Sequence, residues 1–275
     1  MKLAICYAGQ GAQKTGMGKD FYENNAVFRA AFDRASSGTG VDIKKACFEN
    51  PDDVLTQTAV TQPALVAFGS AMSAVFFSEG ILRKASYVFG LSLGEYTALQ
   101  AAGVWSPEDA VRIATFRGKA MADAAEGIDC AMSAVIGLQK EDVETICANV
   151  MADVRQAMGQ ENTGKQSAAA GAGTRGEGTF AVPGKGVFVT NDNCPGQIVI
   201  SGDSTSVALA GEKAKGLGAR VMSLHVSGPF HTPWMAPAGE ALRSLFDGRA
   251  FGEEKIPVVH NFTARPQAAG ESLSD

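Results

Sequence analysis

Tyr87-Val88-Phe89 is an apolar, β-prone run; Gly90-Leu91-Ser92-Leu93-Gly94 follows it directly, and Glu95-Tyr96-Thr97-Ala98-Leu99 is helix-forming. Strand, sharp turn and helix in that order are the setting of a nucleophile elbow. The glycines have physical roles. A serine on so tight a turn takes up a strained backbone conformation, and side chains two positions away would collide with the returning helix. The turn lifts the Ser92 hydroxyl above the sheet. It also sets the amide of Leu93 at a helix N-terminus, where developing negative charge is stabilised. Glycine and serine are common, so the pentapeptide alone also fits a plain βα turn with small residues for packing. The flanking strand and helix favour an active serine.

A chain of 275 residues with 45% apolar content has room for one large domain or two smaller ones, with a sizeable core. Its net charge of −5 is spread over interspersed acids and bases. That pattern offers no nucleic-acid surface and no anionic-membrane anchor. Met1 to Tyr7 is too short for a signal peptide, and no apolar run reads as long enough to span a bilayer, so a cytoplasmic protein is expected. The five cysteines, Cys6, Cys47, Cys130, Cys147 and Cys194, lack CxxC spacing and read as reduced thiols. With three histidines, no metal site is expected.

Lys2 to Tyr7 reads as a buried parallel strand. It opens into Ala8-Gly9-Gln10-Gly11-Ala12-Gln13, which has neither GxGxxG nor Gly-Lys-Ser/Thr and is therefore not a phosphate cradle. Gln10 is open to two readings, a structural turn or a second oxyanion donor beside the serine. Asp20 to Ser36 is helical in pattern, and Asp52 to Ala59 is a short polar helix. Thr61-Gln62-Pro63 starts a long apolar helix to about Phe77, with Thr61 as N-cap and Pro63 in the first turn. Ser106-Pro107-Glu108-Asp109 opens a helix to about Ala124 that carries Arg117 between Phe116 and Gly118. That arginine is either a solvated face residue or a cleft residue holding a carboxylate bidentately.

Composition changes near Gly127. Ala131–Leu138 reads as a strand, Glu141–Met158 as a helix, Val187–Asn191 and Gln197–Ser201 as strands, and Ser204–Leu217 as a helix. This alternation suits a small ferredoxin-like unit. Within it, residues 159–186 are rich in Gly, Ala, Ser, Gln and Thr and read as a flexible surface insertion. Arg220 to Val226 is a further strand. It ends in Ser227-Gly228-Pro229-Phe230-His231, which sets His231 on a loop at a strand's carboxyl end, a good position for a general base. His225, inside the strand, reads as structural, and His260 ranks below His231 as a base.

Together these segments resemble the malonyl-CoA:acyl carrier protein transacylases and the related acyltransferase domains of polyketide and fatty acid synthases. The matching stretches are Gly9-Gln10-Gly11-Ala12-Gln13, Thr61-Gln62-Pro63-Ala64, Gly90 to Tyr96, Arg117-Gly118-Lys119, Asn193 to Gly202, and Gly228-Pro229-Phe230-His231-Thr232-Pro233. They stand in the family's order from residue 1 to about 265. The resemblance implies an α/β fold, with an α/β-hydrolase-like large domain built on a parallel sheet and an inserted ferredoxin-like small domain. The corresponding boundaries are 1–126 with 203–275 for the catalytic domain and 127–202 for the small one.

The resemblance further implies that Ser92 carries the acyl group, that His231 is its general base, and that the amides of Gln10 and Leu93 form the oxyanion hole. Arg117 matches the arginine that pairs with the malonate carboxylate, and Gln62 a glutamine lining the site. Phe230 matches the aromatic residue of malonyl-selective members, which disfavours an α-methyl branch. The implied reaction is malonyl transfer from malonyl-CoA to the phosphopantetheine thiol of acyl carrier protein, in fatty acid biosynthesis. No cofactor and no metal are expected, and a monomer is expected.

Three departures from the family pattern stand out. Leu91 replaces the usual histidine before the nucleophile, and Cys130 replaces a glycine. The sequence ends at Asp275, before the family's segment whose backbone carbonyl orients the catalytic histidine. The competing reading from another enzyme class is a serine hydrolase of esters or thioesters. A non-catalytic module docking carrier protein is a third. Carrier proteins are acidic, and Lys213, Lys215 and Arg220 are the bases such docking would draw on, with a solvated helix face as the alternative.

Overall fold

The computed structural model describes residues 2–162, 184–224, 226–268 and 271. In chain order its strands and α-helices are β1 (Leu3–Tyr7), α1 (Lys19–Asn24), α2 (Ala26–Ser36), α3 (Ile43–Phe48), α4 (Thr58–Ser78), β2 (Ala85–Gly90), α5 (Leu93–Ala102), α6 (Pro107–Ala125), β3 (Ala131–Ile136), α7 (Lys140–Asn162), β4 (Val187–Cys194), β5 (Gln197–Gly202), α8 (Ser204–Gly216), β6 (Arg220–Leu224), α9 (Ala236–Phe246) and β7 (Val258–Val259). This is an α/β protein with a parallel sheet. It divides into a first unit, Met1–Asp123 with Ala238–Asp275, and a second, Ala124–Pro237.

In the first unit β1, β2 and β7 form a parallel sheet in that spatial order, with Tyr7 opposite Gly90 and Phe89 opposite Val259. Helix α4 runs through the core. Its Ala64, Val66, Ala67 and Ala71 are fully buried together with Phe28, Phe32 and Cys47. The expected helix over Asp20–Ser36 is two helices. Asn25 takes an extended conformation, and its side-chain oxygen accepts the Phe28 N–H, so it caps α2 and ends α1. The short polar helix expected over Asp52 to Ala59 is a 3₁₀ segment, Pro51–Thr56, with Asp52 and Asp53 in left-handed conformations, and Thr58 onward belongs to α4.

Helix α4 also starts earlier than Thr61, which is therefore not its N-cap. Thr61 lies inside the helix, with its hydroxyl donating to the carbonyls of Leu55 and Gln57. Pro63 sits in the helix interior, where it removes one backbone bond. By length and composition α4 is apolar enough to cross a membrane, contrary to the sequence expectation. Here 61% of its most apolar stretch is buried inside the protein. Ser106 caps α6 as expected: the Asp109 N–H donates to its hydroxyl at 3.0 Å.

The second unit is a four-stranded antiparallel sheet in the order β4-β5-β3-β6. Helices α7 and α8 share one core with it, built on Val135, Val143, Val150, Ile198, Ile200 and Val207. Asp203 caps α8, accepting the Ser206 N–H, and its other oxygen takes the Gly186 N–H at 2.6 Å. Residues 203–237, expected with the catalytic domain, fall in this unit because α8 and β6 complete its sheet and core. Of the insertion expected over 159–186, residues 159–162 continue α7, and 163–183 lie outside the described residues, as does His225.

Candidate active site

Ser92 stands between β2 and α5 with φ 50° and ψ −105°, a conformation that a non-glycine residue holds only under constraint. Both flanking glycines are needed. A Cβ on Gly90 would lie 2.3 Å from the carbonyl carbon of Gly94, and one on Gly94 would lie 2.3 Å from the Tyr7 carbonyl oxygen. The elbow helix is drawn onto α4 at Gly69, where a Cβ would meet the Thr97 methyl at 2.6 Å. Leu93 is the first residue of α5, so its N–H has no intrahelical acceptor and points where an anion gains from the helix dipole.

The glycine-rich loop after β1 comes up against this turn. A Cβ on Gly9 would sit 2.5 Å from the Leu91 carbonyl oxygen, so only glycine lets the Gly9-Gln10 backbone approach so closely. The Gln10 side chain faces the start of α4, donating to the Thr58 hydroxyl at 3.1 Å and accepting from Gln62 Nε2 at 3.2 Å. Gln62 is fully buried, also reaches Met121 Sδ at 3.4 Å, and among the described residues its Oε1 has no hydrogen-bond partner. An unpaired buried acceptor costs about 1–3 kcal/mol.

Arg117 does not lie on a solvated helix face, the first of the two readings that its sequence left open. It is only 7% exposed, and its Nη2 donates to Ser92 Oγ at 3.0 Å. Its guanidinium lies over the Tyr96 ring, 5.2 Å from the centroid. Among the described residues no carboxylate forms an ion pair with it. Helix α6 brings it there because Gly118 packs on α4. A Cβ at that position would lie 2.8 Å from the Thr58 carbonyl oxygen. Burial pushes the Tyr96 hydroxyl above its ordinary range, with Arg117 acting in the opposite direction. The tyrosine therefore serves as a neutral aromatic platform for the cation.

Gln10, Gln62, Ser92, Leu93 and Arg117 are thus gathered in the first unit. Phe230 and His231 share one turn of the second. Phe230 is buried, His231 is exposed with φ 61°, and the Thr232 hydroxyl closes the turn on the Pro229 carbonyl at 2.7 Å. Leu91, in the position of the family's histidine, is 49% exposed. Lys213 faces Asp153 at 3.4 Å and Lys215 faces Glu212 at 2.8 Å, which favours the solvated-face reading of these lysines. Burial pushes the Cys47 and Cys147 thiols up to about 12, as befits unreactive core cysteines. Among the described residues no group of three or more His, Cys, Asp or Glu is placed to hold a metal ion.

Sequence reading missed Asn261. Its carboxamide bonds the turn on both sides of Leu91, accepting the Ser92 N–H and donating to the Gly90 carbonyl, each at 2.7 Å. His260 beside it is held between Glu95 and Glu254, at 3.1 and 2.9 Å. The signal available was a His-Asn pair directly after the Pro257–Val259 strand pattern, with Glu95 in the first turn of the elbow helix.

Known proteins resemble this chain over most of its length. The family model described as "Acyl transferase domain" matches residues 5–157. The malonyl CoA-acyl carrier protein transacylase of Bacillus subtilis (strain 168) is 35% identical over 264 residues, 96% of this chain and 73% of that protein. A solved acyl-carrier-protein-S-malonyltransferase from Bartonella henselae superposes with a TM-score of 0.81 at 34% identity, over 98% of this chain and 76% of that one. A malonyl-transacylase solved in complex with its type II polyketide synthase acyl carrier protein gives a TM-score of 0.80 at 32% identity, over 98% and 77%. The chain belongs to the acyl transferase family, among the malonyl-CoA:acyl carrier protein transacylases.

Proposed function

We propose that this chain moves the malonyl group of malonyl-CoA to the phosphopantetheine thiol of an acyl carrier protein in fatty acid biosynthesis, by way of a malonyl ester on Ser92. The observation that carries the proposal is Arg117. A buried guanidinium beside the elbow serine, with no internal carboxylate, calls for an anionic acyl group. A serine hydrolase of neutral esters has no use for such a cation. Malonate's free carboxylate fits it, and drawing Arg117 toward that carboxylate releases the Ser92 hydroxyl to react.

In this reading His231 takes the proton of Ser92 as Oγ attacks the thioester carbonyl. The oxyanion gathers on the N–H groups of Leu93 and Gln10; one such donor is typically worth about a hundredfold or more in rate. The carbon–sulfur bond breaks, and the coenzyme A thiolate leaves with the proton from His231. The carrier thiol then repeats the sequence in reverse, giving its proton to His231 and regenerating Ser92. Phosphopantetheine belongs to the carrier protein, and no cofactor of the enzyme enters. Gln62 lines the acyl pocket, and Phe230 disfavours an α-methyl group, so malonyl-CoA is expected to load Ser92 faster than methylmalonyl-CoA.

The finer fold reading rests on topology. Three parallel strands, with the serine turn directly after the middle one, support an α/β-hydrolase-like catalytic unit. The order β3-α7-β4-β5-α8-β6, with spatial order β4-β5-β3-β6, supports a ferredoxin-like second unit. In this reading a cytoplasmic monomer remains the expectation. The test is intact mass spectrometry after mixing with malonyl-CoA. The wild type is expected to gain one malonyl group, Ser92→Ala none, and Arg117→Ala far less at equal time. Release of coenzyme A with no adduct at any time would instead favour the hydrolase.

A further inference from the structure

We propose that Asn261 is a positioning residue for the nucleophile: its carboxamide stands in for the missing rung of the sheet and holds Ser92 in its strained, reactive conformation. The sheet register leads to this. Strand β7 pairs with β2 at Val258 opposite Val88 and Val259 opposite Phe89. Extended by two residues, it would put residue 261 opposite Leu91. In a parallel ladder, the residue opposite Leu91 bonds the carbonyl before it and the N–H after it, those of Gly90 and Ser92.

Those are the groups that Asn261 bonds, through its side chain, at 2.7 Å each. A carboxamide carries the same donor and acceptor as a peptide unit, so it closes the ladder where the backbone has already turned away. The Asn261 N–H goes instead to Glu95 Oε1 at 3.1 Å, at the first turn of the elbow helix. His260 holds the same Glu95 oxygen with one ring nitrogen and Glu254 with the other. Glu254 in turn accepts the Val258 N–H at 3.0 Å, which ties the brace back to β7. Glu95, Glu254 and His260 are half-buried, and Asn261 itself is exposed.

The physical need is clear. Ser92 at φ 50° holds a strained backbone conformation, and such a conformation persists only where its surroundings over-determine it. Asn261 fixes the backbone on both sides of Leu91. The Ser92 N–H is consumed in doing so, which leaves the Leu93 N–H as the elbow's donor to an oxyanion.

This inference rests on Ser92 being the acyl-carrying nucleophile, and its experiment separates the two. Asn261→Asp keeps the size and the acceptor but replaces the donor facing the Gly90 carbonyl with an oxygen; Asn261→Ala removes both bonds. Each variant is followed by quenched-flow formation of the malonyl adduct per folded molecule and by labelling with a fluorophosphonate, which reports serine reactivity without any acyl donor. Both variants are expected to remain folded by circular dichroism. Their maximal rates of malonyl and phosphonyl transfer should fall by about 100-fold, as for an ångström-scale misplacement of a reacting group. The malonyl-CoA concentration giving half-maximal rate should change less than threefold, since the arginine clamp is untouched. Unchanged rates per folded molecule, a loss confined to half-saturation, or failure of both variants to fold would each overturn the positioning role. A wild type that takes the phosphonate but not malonate would sink the malonyl-transfer reading alone.

Discussion

Arg117 shows how one residue can be undecidable in sequence and decisive in space. Its neighbours Phe116 and Gly118 fit a solvated helix face as well as a cleft. Its burial removes the solvated face, and what lies opposite is the Ser92 hydroxyl at 3.0 Å, the Tyr96 face, and no acid among the described residues. Taking a cation out of water is costly, and in the proposed reaction the anionic acyl group offsets that cost. Arg117→Ala is therefore expected to cost malonyl transfer about 3 kcal/mol, or roughly 100-fold in kcat/KM, while acetyl transfer changes little. Arg117→Lys should recover only part of the loss, because an ammonium cannot match a carboxylate bidentately. The check is a competition between malonyl-CoA and acetyl-CoA for Ser92, read by mass. Equal losses for the two donors would show that the arginine supports the elbow and does not select the acyl group.

At the scale of elements, the site is a set of close helix approaches made through glycine. Gly69 seats α5 on α4, and Gly118 seats α6 on α4 with Arg117 one residue away. Gly118→Ala would drive a methyl group to 2.8 Å from the Thr58 carbonyl oxygen, which is backbone and cannot swing aside. We expect it to destabilise the protein by about 1–3 kcal/mol. It should also raise the malonyl-CoA requirement through a displaced Arg117, measured as a lower Tm together with a higher KM. An unchanged KM with a lowered Tm would separate the packing of α6 from the placing of its arginine. These elements were unequally legible in the sequence. The elbow was readable because strand, turn and helix are local, and the Ser106 cap for the same reason. The start of α4 was misread because Thr61 has the chemistry of a cap but spends its hydroxyl on the Leu55 and Gln57 carbonyls. Asn261 was marked only by its place after a strand pattern, because it bonds residues 169 and 171 positions away in the chain through a register that only the folded sheet defines.

At the scale of the molecule, the chain carries separate cores, and one of them belongs to a continuous piece of sequence. The second unit, Ala124–Pro237, has its own four-stranded sheet and its own buried cluster, whereas the first is assembled from two distant segments. The sequence boundary at residue 202 cut this unit short because α8 and β6 join it by sheet pairing and core packing, which no local pattern reveals. A fragment of residues 124–237 is thus expected to fold alone, with cooperative urea unfolding and dispersed amide resonances. Within it, Asp203 joins the start of α8 to the turn before β4. Burial raises its carboxyl, but the hydrogen bonds from Gly186 and Ser206 to the charged form prevail, and its pKa lies below the ordinary carboxylate value. A group lowered in this way contributes stability that is fully present above about pH 4 and is lost as pH falls through the folded value. Asp203→Ala should therefore cost about 1–3 kcal/mol at pH 7, from the lost cap and the stranded Gly186 N–H. That cost should shrink as the pH drops below 4. Urea titrations at pH 7 and pH 3 on the fragment and on the whole chain measure both. A cost that stays the same at the two pH values would assign the effect to packing and not to the charged cap. A fragment that unfolds without cooperativity would show that the second core depends on the rest of the chain.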